Sequence, residues 1–160
     1  MTQKNLTITY HEFESENDLS SDEGKLLKEA RNALENAYAP YSNFYVGAAL
    51  IDEDGNTFIG SNMENASYPL CICAEGALLT AYNSSGSKAP ITHVAITARS
   101  SSHDLSHPVA PCGACRQMLS EFEVKQGKQI KLILHGSSGP VCVLDSVKDI
   151  LPLGFSGSDL

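Results

Sequence analysis

The chain has no long apolar run. Its most hydrophobic stretches, such as "VGAAL" and "IKLIL", are far shorter than the ~20 residues a membrane-crossing helix needs. It has no basic stripe either: 11 lysines and arginines are scattered against 19 acids, giving a net charge of −8. Neutralising a phosphate backbone takes clustered cations, so polymeric nucleic acid is excluded as a partner. The opening "MTQKNLTITYHEFESEND" lacks a basic start and an apolar core, so it does not read as a secretory signal, and a cytoplasmic location is expected. An even set of cysteines is also missing. The five thiols, Cys71, Cys73, Cys112, Cys115 and Cys142, fit metal binding or catalysis in a reducing compartment better than a disulfide framework. No internal repeat or second domain is visible, and 160 residues suit one domain with a sizeable core.

Residues 1–19, where the acids cluster, read as a mobile N-terminal arm, and 20–160 as the folded domain. "SSDE" supplies a capping box, Ser20 with Glu23. Leu26, Leu27, Ala30, Ala33, Leu34, Ala37 and Tyr38 then recur at helical spacing, predicting a helix to about Ala39, where Pro40 stops it. "FYVGAALI" and "NTFIGSN" read as a hairpin around "DEDG". "CAEGALLTAY" is helical, "ITHVAITA" a strand, "CGACRQMLSEF" a helix, "IKLILHG" and "VCVLD" strands, and "SVKDILP" a last short helix. The alternation predicts an α/β fold: three α/β/α layers around a mixed five-stranded sheet.

The chemistry concentrates at two helix starts. In "PCGAC" the thiols of Cys112 and Cys115 share a face of a first helical turn, where unsatisfied N–H groups and the helix dipole favour thiolates. Alone, a C-x-x-C pair also serves redox chemistry or a zinc ribbon. Cys73 opens a second helix that also follows a strand, so the two N-termini can converge and bring three thiolates to one point. No fourth cysteine or histidine sits at ribbon-like spacing. Alternation points Cys71 away from Cys73, and Cys142 reads as a small apolar strand residue. The histidines fall in arm, strand and loop positions and read as structural or solvated. Three ligands leave one tetrahedral position open for a water of lowered pKa. Glu75, two residues past Cys73, can then serve as a general acid/base without ligating the metal. In isolation it would read as an acid favoured by the helix dipole; beside an open metal site the catalytic reading is stronger.

The pairing of C-A-E with P-C-x-x-C is the three-cysteine form of the zinc nucleobase-deaminase signature. With "APYSNFYVGAAL", "GSNMENASYPL", "ICAE", "PCGACRQ" and "ILPLGF", residues 25–155 resemble the small homotetrameric cytidine deaminases of pyrimidine salvage. The resemblance implies one Zn2+ per chain on Cys73, Cys112 and Cys115, and Glu75 as proton shuttle. It implies a nucleoside substrate whose ribose meets Asn62 and Glu64, whose ring packs on Phe44 and whose base carbonyl is held by the Ala74 N–H. Tyr41 and Tyr68 would line the pocket near a subunit boundary, Phe155 would reach a neighbouring subunit's pocket, and Arg116 would hydrogen-bond the zinc thiolates. Two positions depart from the family pattern. Gly76 stands where an arginine commonly follows the glutamate, and Ala110 where serine is usual.

The expected reaction is hydrolytic deamination of cytidine and 2′-deoxycytidine. One rival is deamination of a modified cytosine nucleoside, N4-substituted or blasticidin-type; Gly76 speaks for it and "NMENASY" for plain ribose. A non-catalytic zinc module would need no Glu75 and would prefer a fourth ligand.

Overall fold

A computed structural model describes residues 1–160. Its core is a single mixed sheet built from β1 (His11–Phe13), β2 (Phe44–Asp52), β3 (Thr57–Ser61), β4 (Ile91–Ser100), β5 (Lys131–His135) and β6 (Val141–Leu144), in the spatial order β1-β6-β5-β4-β2-β3. Only β4 and β5 run parallel, and the helix α3 (Gly113–Gln126) makes the crossover between them. The other pairings are antiparallel. The β2–β3 hairpin turns at Gly55, whose φ of 84° is left-handed and suits a residue without Cβ.

Side-chain alternation sorts the strands onto two faces. Ala49, Ala95, Ile133 and Val143 meet Leu26, Leu27 and Ala30 of α1 (Ser21–Ala33). Ala48, Leu50, Val94, Ile96, Leu132 and Leu134 face Leu78, Leu79 and Tyr82 of α2 (Ala74–Ser85) together with Leu119 of α3. Two glycines let the helices sit close to the sheet. A Cβ on Gly47 would run into the Ala30 carbonyl of α1, and one on Gly60 into the Ala74 carbonyl of α2.

The three layers are those expected, but the sheet has six strands, not five. The extra one comes from the N-terminal arm. His11, Glu12 and Phe13 pair with Val143, Cys142 and Val141 along the edge of β6. Phe13 packs against the core on the α1 side, and Glu16 reaches Arg31 of α1 at 2.6 Å. The arm is therefore tied down from residue 11 onward, while residues 1–10 are exposed along their length. A three-residue strand with two polar members carries no periodicity, so only its partner reveals it. At the other boundaries, α1 tightens into a 3-10 turn over Leu34–Asn36 before Pro40, and the last short helix is a single 3-10 turn, Val147–Ile150.

Candidate metal and nucleoside site

Cys73 is the N-cap of α2 and Cys112 the N-cap of α3, and neither thiol caps the backbone of its own helix. The caps therefore leave both sulfurs free to point outward, at the ends of two helices that cover one face of the sheet. Cys115, in the first turn of α3, completes the group. Cys73 Sγ lies 3.9 Å from Cys112 Sγ, which lies 3.4 Å from Cys115 Sγ, and all three fall within 4.8 Å of one another. Thiolates at tetrahedral angles around zinc, with bonds of ~2.3 Å, stand about 3.8 Å apart. The cluster fits that ion, and it is the only group of this kind in the molecule. A hydrogen bond from the Cys115 thiol brings the Cys73 pKa down to about 6, and the same bond pushes the Cys115 thiol up.

Glu75 is 4% exposed, and this burial raises its carboxyl above the usual range. It opens, with Cys73, Ala74 and Cys112, onto a cavity of about 420 Å³. Phe44, Asn62 and Glu64 line the same space, so seven of the residues singled out from sequence meet there. A larger polar hollow of about 1110 Å³ lies between α1 and the far end of the β2–β3 hairpin, and it shares no residue with the thiol cluster.

Asn62 and Glu64 are held by the segment they face. Asn62 Oδ1 accepts the Val46 N–H at 2.8 Å and its Nδ2 donates to Phe44 O at 2.9 Å. Glu64 Oε2 accepts the N–H groups of Tyr41 and Ser42 at 2.8 and 3.2 Å, and the Ser42 hydroxyl first, then these N–H groups, lower its pKa. These bonds fix the turn that delivers Phe44. Ser42 was not anticipated. Its hydroxyl accepts the Phe44 N–H at 3.0 Å and it lines the cavity. The signal was available, since a serine two residues before a strand commonly forms such a turn.

Four further residues named from the sequence do not line this cavity within the single chain. Tyr41 and Tyr68 stack edge-on at 6.1 Å outside the cavity, both exposed. Phe155 is 58% exposed on the C-terminal segment. Arg116 donates to Pro111 O and Ile150 O, at 2.8 and 2.9 Å, not to a thiol. Its Nε and Nη1 are thereby both engaged by backbone carbonyls. Cys71 stays out of the cluster, accepting the Asn65 N–H at 3.3 Å, and Cys142 is half-buried in β6. Gly76 does not widen the cavity. A Cβ there would meet Ile72 and Met118 at an ordinary 3.9 Å, so its bare side faces α3.

Residues 20–128 match the profile of the cytidine and deoxycytidylate deaminase zinc-binding region. A cytidine deaminase of Halalkalibacterium halodurans is 41% identical over 140 residues, spanning 87% of this chain and 98% of the relative. One from Sporosarcina psychrophila is 38% identical over 139 residues, 87% and 95% of the two chains. The crystal structure of the Burkholderia pseudomallei cytidine deaminase superposes with a TM-score of 0.73 at 39% identity, over 86% of this chain and all of that one. Profile, relatives and fold agree with a three-thiol site beside a buried carboxylate: the chain belongs to the zinc-dependent cytidine and deoxycytidylate deaminase family.

Proposed function

We propose that the protein hydrolyses cytidine and 2′-deoxycytidine to the corresponding uracil nucleosides. The observation that carries this reading is the buried Glu75 carboxyl, which lines one cavity together with Cys73 and Cys112 of the three-thiol cluster. Cys73, Cys112 and Cys115 would hold a zinc ion. That ion would supply Lewis acidity and make water more acidic. The reaction exchanges the exocyclic amine at C4 for a water oxygen and releases ammonia. Glu75 takes a proton from the attacking water, gives it to N3, and then moves a proton to the departing amine. Its burial suits this work, because a carboxyl held above its ordinary pKa returns a proton more readily.

The remaining residues bind and orient. Phe44 covers the pyrimidine ring, the Ala74 N–H at the start of α2 holds the base carbonyl, and Asn62 and Glu64 take the ribose hydroxyl. Glu64 keeps Oε1 free for this while Oε2 holds the 41–42 backbone. Phe155, exposed on its own subunit, serves the pocket of a neighbouring copy in a homotetramer, with Tyr41 and Tyr68 at the boundary. The working compartment is the cytoplasm, and no helix is long and apolar enough to cross a membrane.

The test is a panel of zinc-loaded assays on cytidine, 2′-deoxycytidine and N4-substituted cytidines, following ultraviolet loss and ammonia release. Turnover of the first two is expected. Turnover confined to the N4-substituted compounds would overturn the assignment.

A further inference from the structure

Arg116 and Gln117 directly follow the metal ligand Cys115 near the start of α3. Both side chains bond to the C-terminal segment. Arg116 Nη1 donates to Ile150 O at 2.9 Å while its Nε holds Pro111 O at 2.8 Å. One planar group thus joins the entry to α3 with the start of the tail. Gln117 Nε2 donates to Phe155 O at 2.9 Å. Between the two anchors the chain makes a tight turn, with Gly154 N–H bonded to Leu151 O at 3.2 Å and Leu153 left-handed at φ 57°. A leucine adopts that backbone only where its surroundings hold it. Hydrophobic burial does not do so here, because Pro152, Leu153, Gly154 and Phe155 are all exposed. The polar anchors on α3 are what define the course of this segment.

We propose that Arg116 and Gln117 are positioning residues that set the tail from the helix turn bearing two metal ligands, and so present Phe155 to the pocket of a second copy. The functional half of this inference rests on the shared-pocket reading given above. Its structural half does not. The same α3 turn serves metal and tail, so loosening one loosens the other.

Hydrogen exchange over residues 151–156 of the full-length zinc-loaded protein tests the anchors. Gln117→Glu keeps the size of the side chain and removes the donor, and exchange in the tail should rise about five- to ten-fold. Gln117→Lys restores a donor and should return exchange toward wild type. Arg116→Lys cannot span two carbonyls and should loosen the tail as well. In Gln117→Glu the KM for cytidine should rise while kcat changes little, as for loss of uniform binding. Chelating zinc from the wild type should raise tail exchange too. Unchanged exchange in both Gln117→Glu and Arg116→Lys would overturn the proposal. A loosened tail with KM unaltered, in Gln117→Glu and in Phe155→Ala alike, would sustain the anchors and remove the shared pocket.

Discussion

Glu75 shows how much one side chain can carry. It is a carboxylic acid only 4% exposed in a helix turn whose neighbours Ala74 and Leu78 belong to the apolar core. Glu75→Gln preserves size and hydrogen-bonding reach while removing the transferable proton. Zinc content and fold should survive, and turnover should fall by about 10²–10⁴-fold. Metal analysis beside single-turnover kinetics checks this, and near-normal turnover in a zinc-loaded variant would mean that another group moves the proton. The residues that sequence reading located best were those whose role is written in local spacing. Cys73, Glu75, Cys112 and Cys115 lie at helix starts, where a capping position fixes the direction of the side chain. The carbonyl partners of Arg116 were not legible, because a guanidinium chooses among all acceptors within reach, and one of its two partners, Ile150, lies far along the chain.

The elements themselves were legible wherever periodicity sustained them. The three helices and the five strands from β2 to β6 announce themselves by alternation or by 3.6-residue recurrence. The first strand does not, since its stability comes from a β6 edge that becomes available only after the sheet forms. Helix seating is equally non-local. Gly60 looks like an ordinary strand glycine, but its missing Cβ leaves room for the backbone of α2 at Ala74 and Leu78. Gly60→Ala should push α2 outward, costing about 1–3 kcal/mol as overpacking does. It should also weaken zinc binding, because Ala74 adjoins Cys73. Denaturant unfolding and a zinc competition assay would measure both, and an unperturbed variant would show that the helix can shift freely. At the end of β5, His135 is 4% exposed and its Nδ1 has no partner. Burial chiefly lowers its pKa, helped by Arg31 of α1 and opposed by the Gly139 backbone and Glu16 of the arm. The unfolded chain therefore binds the proton more readily. The contribution of His135 to stability is complete above about pH 6.5 and is lost as pH falls toward the folded-state value. His135→Asn should flatten that part of the stability–pH curve relative to wild type, measured by urea unfolding between pH 7.5 and 5. Parallel curves would show that His135 binds its proton equally well in the folded and unfolded chain.

Across the whole molecule, apolar side chains collect around the mouth of the cavity. Tyr38, Met63 and Ile72 are linked by β-bridges, Tyr41 touches Tyr68, and all five are exposed. A patch of this kind on a chain with net charge −8 suits contact with a second copy. Tyr68→Asp should therefore shift light-scattering mass toward monomer and lower activity together, whereas a fully active monomeric wild type would rule out the shared pocket. The thiol cluster has a further consequence. It joins Cys73 to Cys112, so the ion closes a loop of chain that includes α2 and β4. Such a clasp acts on the unfolded ensemble as a cross-link does, except that it is reversible and depends on supply. Chelation should lower the melting temperature as well as abolish turnover, and at a hundred-fold excess of zinc over its dissociation constant the shift corresponds to about 2.7 kcal/mol. A scan at graded free zinc would follow this, and a melting temperature indifferent to chelator would show that the loop is already closed by packing alone. The heat tolerance of this chain then follows how much zinc its surroundings hold as well as its amino acids.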